Sequence, residues 1–383
     1  MRASGGLGII VLLSNSMIAT GGRDRADPPL PHEMDTMGIR KSEFGEHDGQ
    51  PVEAYDLEAG SIRARVITYG GILSELHVPD GSGGSADIVL GYDDLASYLR
   101  YRGSAGAICG RYANRIAKAQ FSLDGETYAL SANEPPNHIH GGFKGFNKQV
   151  WLAEPDSAAN AVWLTLEEPD GNEGYPGRVK ASVTYRLTDE PVLEILMEAV
   201  TDRPTVINLV HHGYWNLAGH GAGGIRSQHL LIEADHYTPV GPGKIPTGEV
   251  APVAGTAFDF RTIRPIGAHI DDISQVPEAG YDHNFCLNGE RGVLRRAARA
   301  IDPHSGRGLE IWTDQPGVQF YTANHFGTLP AMGKGGIPYG KHAGFALETQ
   351  TYPNSPNEPH FPPAVLRPGE TYRHVMRVPF FTV

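Results

Sequence analysis

Val179-Lys180-Ala181-Ser182-Val183-Thr184-Tyr185-Arg186-Leu187 alternates apolar and polar side chains from end to end. In an extended chain every second side chain shares a face, so this stretch reads as a half-buried β-strand. The pattern recurs in Val162, Leu164 and Leu166, in Leu193, Ile195, Met197 and Ala199, and in Tyr372, His374, Met376 and Val378. Turn-forming clusters separate such runs: 80–84 (DGSGG), Asp124-Gly125, 170–172 (DGN) and 367–370 (RPGE). Asp-Gly between alternating runs signals a hairpin, because both residues tolerate the positive φ that a tight turn needs. Helical periodicity is confined to 94–101 (DLASYLRY), enough for about two turns. Strand upon strand without intervening helices predicts an all-β fold of antiparallel sheets packed as a large sandwich. No fixed-period repeat or linker composition divides the chain from 41 to 383, so one domain is expected there.

The formal charge of −12 argues against nucleic acid and anionic membrane surfaces as partners, since both select basic faces. Two cysteines, Cys109 and Cys286, are too few for a disulfide framework or a four-sulfur metal site and are expected as buried small hydrophobes. At the N-terminus Arg2 precedes an apolar run, 7–13 (LGIIVLL), then small residues up to Gly21. That order is the pattern of a secretory signal, expected over 1–21, with 22–40 as a polar tether. The run is too short for a transmembrane anchor, so a periplasmic or secreted location is expected.

Glu348 stands in 344–357 (GFALETQTYPNSPN), after Phe345, Ala346 and Leu347 and before a turn-rich tract. Partial desolvation there would raise its pKa toward the range of a general base. Segment 110–116 (GRYANRI) crowds Arg111, Asn114 and Arg115, whose directional donors suit sugar hydroxyls. In 137–143 (NHIHGGF), His138 and His140 are two apart and would share a strand face; no third ligand at a telling spacing completes a metal site. In 208–219 (NLVHHGYWNLAG), the adjacent His211 and His212 would face opposite ways, with Tyr214 on the side of His212. A histidine is a ready proton donor near neutral pH. Asp282 lies in 280–287 (GYDHNFCL) and Gln315 in 313–322 (TDQPGVQFYT). The run 219–224 (GHGAGG) fits the glycine fingerprint of dinucleotide folds, but 225–234 reads as another strand where that fingerprint needs a helix.

Together and in this order, GRYANRI, the HGG of 140–142, HHGYWNLAG, YDHNF, TDQPGVQFYT and the final LETQ…PN…FP…LRPGETY resemble the aldose 1-epimerase family, the galactose mutarotases. The resemblance covers nearly everything from about position 41 onward. It implies that family's large antiparallel β-supersandwich and its reaction, interconversion of the α and β anomers of free aldoses such as glucose and galactose. It implies His212 as proton donor and Glu348 as proton acceptor, with Asn114, Arg115, His140, Tyr214, Asp282 and Gln315 binding the sugar. Hemiacetal opening needs only an acid and a base across the anomeric carbon, so no cofactor and no metal is expected. His211, Gly213 and Trp215 depart from the family pattern and are expected to reshape the wall beside His212. Two alternatives keep parts of this picture: a non-catalytic carbohydrate-binding protein on the same fold, and a glycoside hydrolase or lyase using Asp282 and Glu348 as a carboxylate pair.

Overall fold

The alternating runs form the strands they imply. Ala161–Glu168, Val179–Leu187, Val192–Thr201 and Tyr372–Thr382 lie side by side, antiparallel, in a computed structural model of the chain. The structure describes residues 38–101, 103–273, 279–327 and 332–383. The expected signal at 1–21 and most of the tether lie outside these. The strand Arg40–His47 begins one residue before the expected domain start, and a single compact unit extends from position 37 to 383.

Three antiparallel sheets make up most of it. A nine-stranded sheet runs in the order Leu152–Asp156, Ala161–Glu168, Val179–Leu187, Val192–Thr201, Tyr372–Thr382, Arg307–Thr313, Arg295–Ile301, His229–Ile232, Arg264–Pro265. A six-stranded sheet runs Tyr214–Trp215, Phe345–Gln350, Gly317–Tyr321, Asp282–Cys286, His236–Thr238, Ala251–Pro252. A five-stranded meander takes the chain from Arg40–His47 to Ser85–Asp87. Val183, Tyr185, Ile195 and Met197 of the first sheet and Phe285, Phe320, Phe345 and Leu347 of the second belong to one buried cluster. The class is the expected one, all-β and antiparallel.

The turn chemistry also holds. Asp124 and Gly125 both take positive φ, 52° and 86°, and join Gln120–Leu123 to Glu126–Ala129 as a two-residue hairpin. The helix Leu95–Tyr101 starts where Asp94 accepts a hydrogen bond from the Ser97 N–H at 2.7 Å. Residues 219–224 form a loop that leads into the strand His229–Ile232, with no helix after it. Among the described residues no helix is long and apolar enough to cross a membrane. Cys109 and Cys286 are free and buried, and burial pushes the Cys286 thiol up to about 11.

Candidate active site

The six-stranded sheet has one apolar face and one polar face, and the polar face carries the chemistry. Register pairs Asn284 with Gln319 and Gln319 with Glu348; one step along, Asp282 pairs with Tyr321, Tyr321 with Ala346 and Ala346 with Tyr214. Cross-strand partners share a face. Asp282, Asn284, Gln319, Tyr321, Glu348 and Gln350 therefore look one way, while Phe285, Phe320, Phe345 and Leu347 fill the core on the other. This places Glu348 inside the strand Phe345–Gln350, only 2% exposed.

His212 arrives from a separate strand, Val210–His212, paired with Ala107–Cys109. Its Nε2 lies 3.5 Å from Glu348 Oε1. His211 points the opposite way, as alternation requires, and packs its ring against Tyr185 and Trp215. A Cβ at Gly213 would stand 2.6 Å from His211 Cε1. The departures at 211, 213 and 215 are thus one packing unit on the core side. None of the three lines the pocket, which corrects the expectation that they reshape its wall.

Loop geometry supplies the next pair. Asn114 (φ 61°) and His140 (φ 49°) both take left-handed backbone and bond reciprocally: Asn114 N–H donates to His140 Nδ1 at 3.2 Å, and His140 N–H to the Asn114 carbonyl at 3.0 Å. With Nδ1 accepting, the proton of the neutral imidazole sits on Nε2. The His138–Ile139 strand ends before His140, so the two histidines do not share a face. His138 is wholly buried, with Nδ1 2.7 Å from the Ser131 carbonyl and Nε2 2.7 Å from the Tyr175 hydroxyl. The half-site for a metal therefore does not form. Elsewhere Glu75, His77 and Asp87 bring ligand-type atoms within 4.8 Å of one another. Their carboxylates are already engaged by Arg63, Arg65 and Lys334.

Arg115 is clamped by Glu134 through Nε (2.6 Å) and Nη2 (2.8 Å), which leaves Nη1 at 4.0 Å from Asp282 Oδ2. Lys244 Nζ is 3.5 Å from the same oxygen. Asp282, Glu348, His212, His140, Asn114, Arg115 and Tyr214 all border one pocket of about 340 Å³. Tyr214 and Tyr321 meet edgewise in its lining as an aromatic wall, and Phe326 packs edgewise against Tyr214.

Gln315 is the one expected member that the structure places elsewhere. It sits in the turn before Gly317–Tyr321, where its amide donates to Asp314 Oδ1 (2.9 Å) and to the Arg373 carbonyl (3.3 Å) beside a different groove. Gln319, further along that strand, reaches the site instead and donates to Asp282 Oδ1 at 2.7 Å. Its signal in the sequence was a single polar residue inside Gly317-Val318-Gln319-Phe320-Tyr321. Lys244 and Glu134 were also missed. Lys244 comes from a Gly-Pro-Gly-Lys turn with no pattern that points to a site.

Arg111 likewise parts from Arg115. It is fully buried, with Nε 2.6 Å from Glu168 and Nη1 bonded to the Pro176 carbonyl (2.7 Å) and the Thr205 hydroxyl (3.0 Å). It braces the fold beneath the loop that presents Asn114 and Arg115.

Charge balance fits two different tasks for two carboxylates. Burial, then the Asp282 carboxylate, push Glu348 well above the usual carboxylate range, with Arg115 pulling the other way. Burial alone would raise Asp282 too. The Arg115 and Lys244 cations and the Gln319 bond outweigh it and hold that carboxyl down, so it stays ionised. Burial lowers His212 to about 4; its own backbone raises it, His325 lowers it and Asp282 raises it. Burial, then the neighbouring His212, hold His140 well below the usual histidine value. Glu348 and His212 together therefore keep one proton near neutral pH, and in the unliganded pocket burial leaves that proton on Glu348 rather than on His212.

Comparison with known proteins shows the family. The profile of the family described as Aldose 1-epimerase matches residues 53–378. Galactose mutarotase of Homo sapiens is 45% identical over 339 residues, spanning 88% of this chain and 96% of that protein. Aldose 1-epimerase of Escherichia coli (strain K12) is 36% identical over 344 residues, 87% and 96%. Among solved structures, galactose 1-epimerase from Lactobacillus acidophilus superposes with a TM-score of 0.79 at 31% identity, covering 91% of this chain and 99% of that one. The chain belongs to the aldose 1-epimerase family.

Proposed function

We propose that the protein is a mutarotase that interconverts the α and β anomers of free aldoses such as glucose and galactose. The observation that carries this is the opposition of His212 and Glu348 across 3.5 Å in a pocket ringed by sugar-type hydrogen-bonding groups. The ring oxygen and the anomeric hydroxyl of a pyranose hang on one carbon, so an acid and a base converging on one point is the geometry that opening requires.

The shared proton passes from Glu348 to His212 across their 3.5 Å contact; Glu348 then takes the proton of the C1 hydroxyl while His212 gives its proton to the ring oxygen. The C1–O5 bond breaks, leaving an open-chain aldehyde with a hydroxyl on C5. Rotation about C1–C2 presents the other carbonyl face, and closure returns each proton to its origin. His140 Nε2–H, Arg115, Lys244 and Asp282 hold the remaining hydroxyls, and the tyrosine wall covers an apolar sugar face. An ionised Asp282 clamped by two cations is an anchor rather than a second acid, which disfavours the hydrolase reading.

Polarimetry on freshly dissolved α-D-galactose and α-D-glucose tests this. Approach to the same final rotation should be accelerated, with kcat/KM falling on the acid side around an apparent pKa of about 4 as His212 takes up a second proton. No acceleration with either sugar would leave the carbohydrate-binding reading standing. We also propose export, supported by Arg2, the 7–13 run and the small residues after it. An intact N-terminus on protein recovered from the cytosol would overturn that.

A further inference from the structure

Behind Asp282 a row of buried amides crosses three strands of the six-stranded sheet. Gln350 Nε2 donates to Gln319 Oε1 (3.2 Å) and to Asn284 Oδ1 (3.1 Å), and Gln319 Nε2 donates to Asp282 Oδ1 (2.7 Å). None of these side chains is more than 7% exposed. We infer that Gln350 and Asn284 are positioning residues, which act through Gln319 to fix the carboxylate of Asp282 for one sugar hydroxyl.

The argument rests on direction. An ionised carboxylate only accepts, so Gln319 must turn its NH₂ toward Asp282 and its carbonyl toward Gln350. That carbonyl in turn demands the Gln350 NH₂, and the Gln350 NH₂ is shared with the Asn284 carbonyl. Reversing Gln319 or Gln350 sets oxygen against oxygen at one link, and reversing Asn284 sets nitrogen against nitrogen. The row therefore has a single orientation, and it ties down Oδ1 of Asp282. Oδ2 alone is left toward Arg115 and Lys244, where a hydroxyl can donate to the carboxylate and accept from a cation. Gly317 adds independent support, because a Cβ there would lie 2.6 Å from Asn284 Oδ1. The strand withholds a side chain at the point where the row ends.

This inference depends on Asp282 binding the sugar, and one set of measurements separates the two. Gln350→Glu keeps the shape but replaces the donor with an acceptor, so Gln319 is drawn away from Asp282. Asn284→Asp introduces the same charge beside it yet keeps the acceptor that Gln350 needs. For galactose mutarotation at about pH 8, Gln350→Glu should raise KM by about tenfold with kcat within about threefold of wild type, while Asn284→Asp stays near the wild-type KM. Lowering the pH to about 5 protonates the introduced carboxyl, whose O–H then donates as the amide did, and the KM ratio to wild type should shrink to below about threefold. Asp282, Glu348, Arg115 and Lys244 also face this region and titrate or bear charge in both proteins, so the ratio, not the raw KM, is the readout. A Gln350→Glu defect unchanged between the two pH values, or matched by Asn284→Asp, would overturn the relay. So would an unaltered KM. A wild-type protein without mutarotase activity would instead remove the functional reading itself.

Discussion

Glu348→Gln is expected to lower turnover by about 10²–10⁴-fold, the contribution of a positioned general base, while leaving the fold intact. The amide has the carboxylate's shape, so the register with Gln319 and the packing of Phe345 and Leu347 behind the strand are undisturbed. It cannot take the C1 proton, and His212 has no partner from which the shared proton can be balanced. The same change should increase stability. Glu348 binds its proton more tightly in the folded chain than in the unfolded one. A group raised in this way favours the fold while protonated and loses that advantage as pH rises through the folded value. At about pH 8, well above the carboxyl's value in the unfolded chain, burying Glu348 costs stability that the amide does not lose; at about pH 4 the two proteins should unfold alike. Polarimetry and thermal unfolding at both pH values check the pair of expectations. A near-normal rate would remove Glu348 from the chemistry, and a midpoint unchanged at the higher pH would contradict the tighter hold of the folded chain on its proton.

Arg111→Met is expected to destabilise the protein by about 3–5 kcal/mol, because it leaves the Glu168 carboxylate buried without its counter-charge. Burial already raises Glu168, and Arg111 and the Asn172 amide oppose that shift. Both members of the pair are wholly inaccessible to water. Breaking such a pair differs from deleting it. Arg111→Met combined with Glu168→Leu should recover much of the loss, since two apolar side chains of similar volume have no charge to desolvate. Denaturant unfolding of the single and double variants distinguishes these outcomes, and a single variant as stable as wild type would refute the assignment. Sugar affinity in the double variant should stay near that of wild type, because Arg111 lies under the loop that carries Asn114 and Arg115 without lining the pocket.

The contrast between Arg111 and Arg115 shows where the sequence stops being legible. The sandwich was readable from alternation because burial on one face leaves a period of two that no other structure produces. Glu348, His212, Asp282, Asn114, Arg115, His140 and Tyr214 were readable because their motifs keep their order along the chain. The errors all came from three-dimensional facts with no local imprint. His138 and His140 share a face only if the strand continues, and the left-handed backbone at His140 ends it. Gln315 and Gln319 belong to one motif, and only the end of the turn decides which faces Asp282. Lys244 arrives from a turn remote in sequence, so spacing could not bring it to the carboxylate it pairs with.

The contact between His211 and the bare Cα of Gly213 has a consequence for how this branch of the family can change. A side chain at 213 would collide with the imidazole, and the imidazole fits only because nothing is there. The two positions must therefore be inherited together. A lineage leaving this state has to give up the histidine before it can gain a side chain at 213, and a lineage entering it has to lose that side chain first. His212 sits between them, so both steps are taken on the strand that carries it to Glu348.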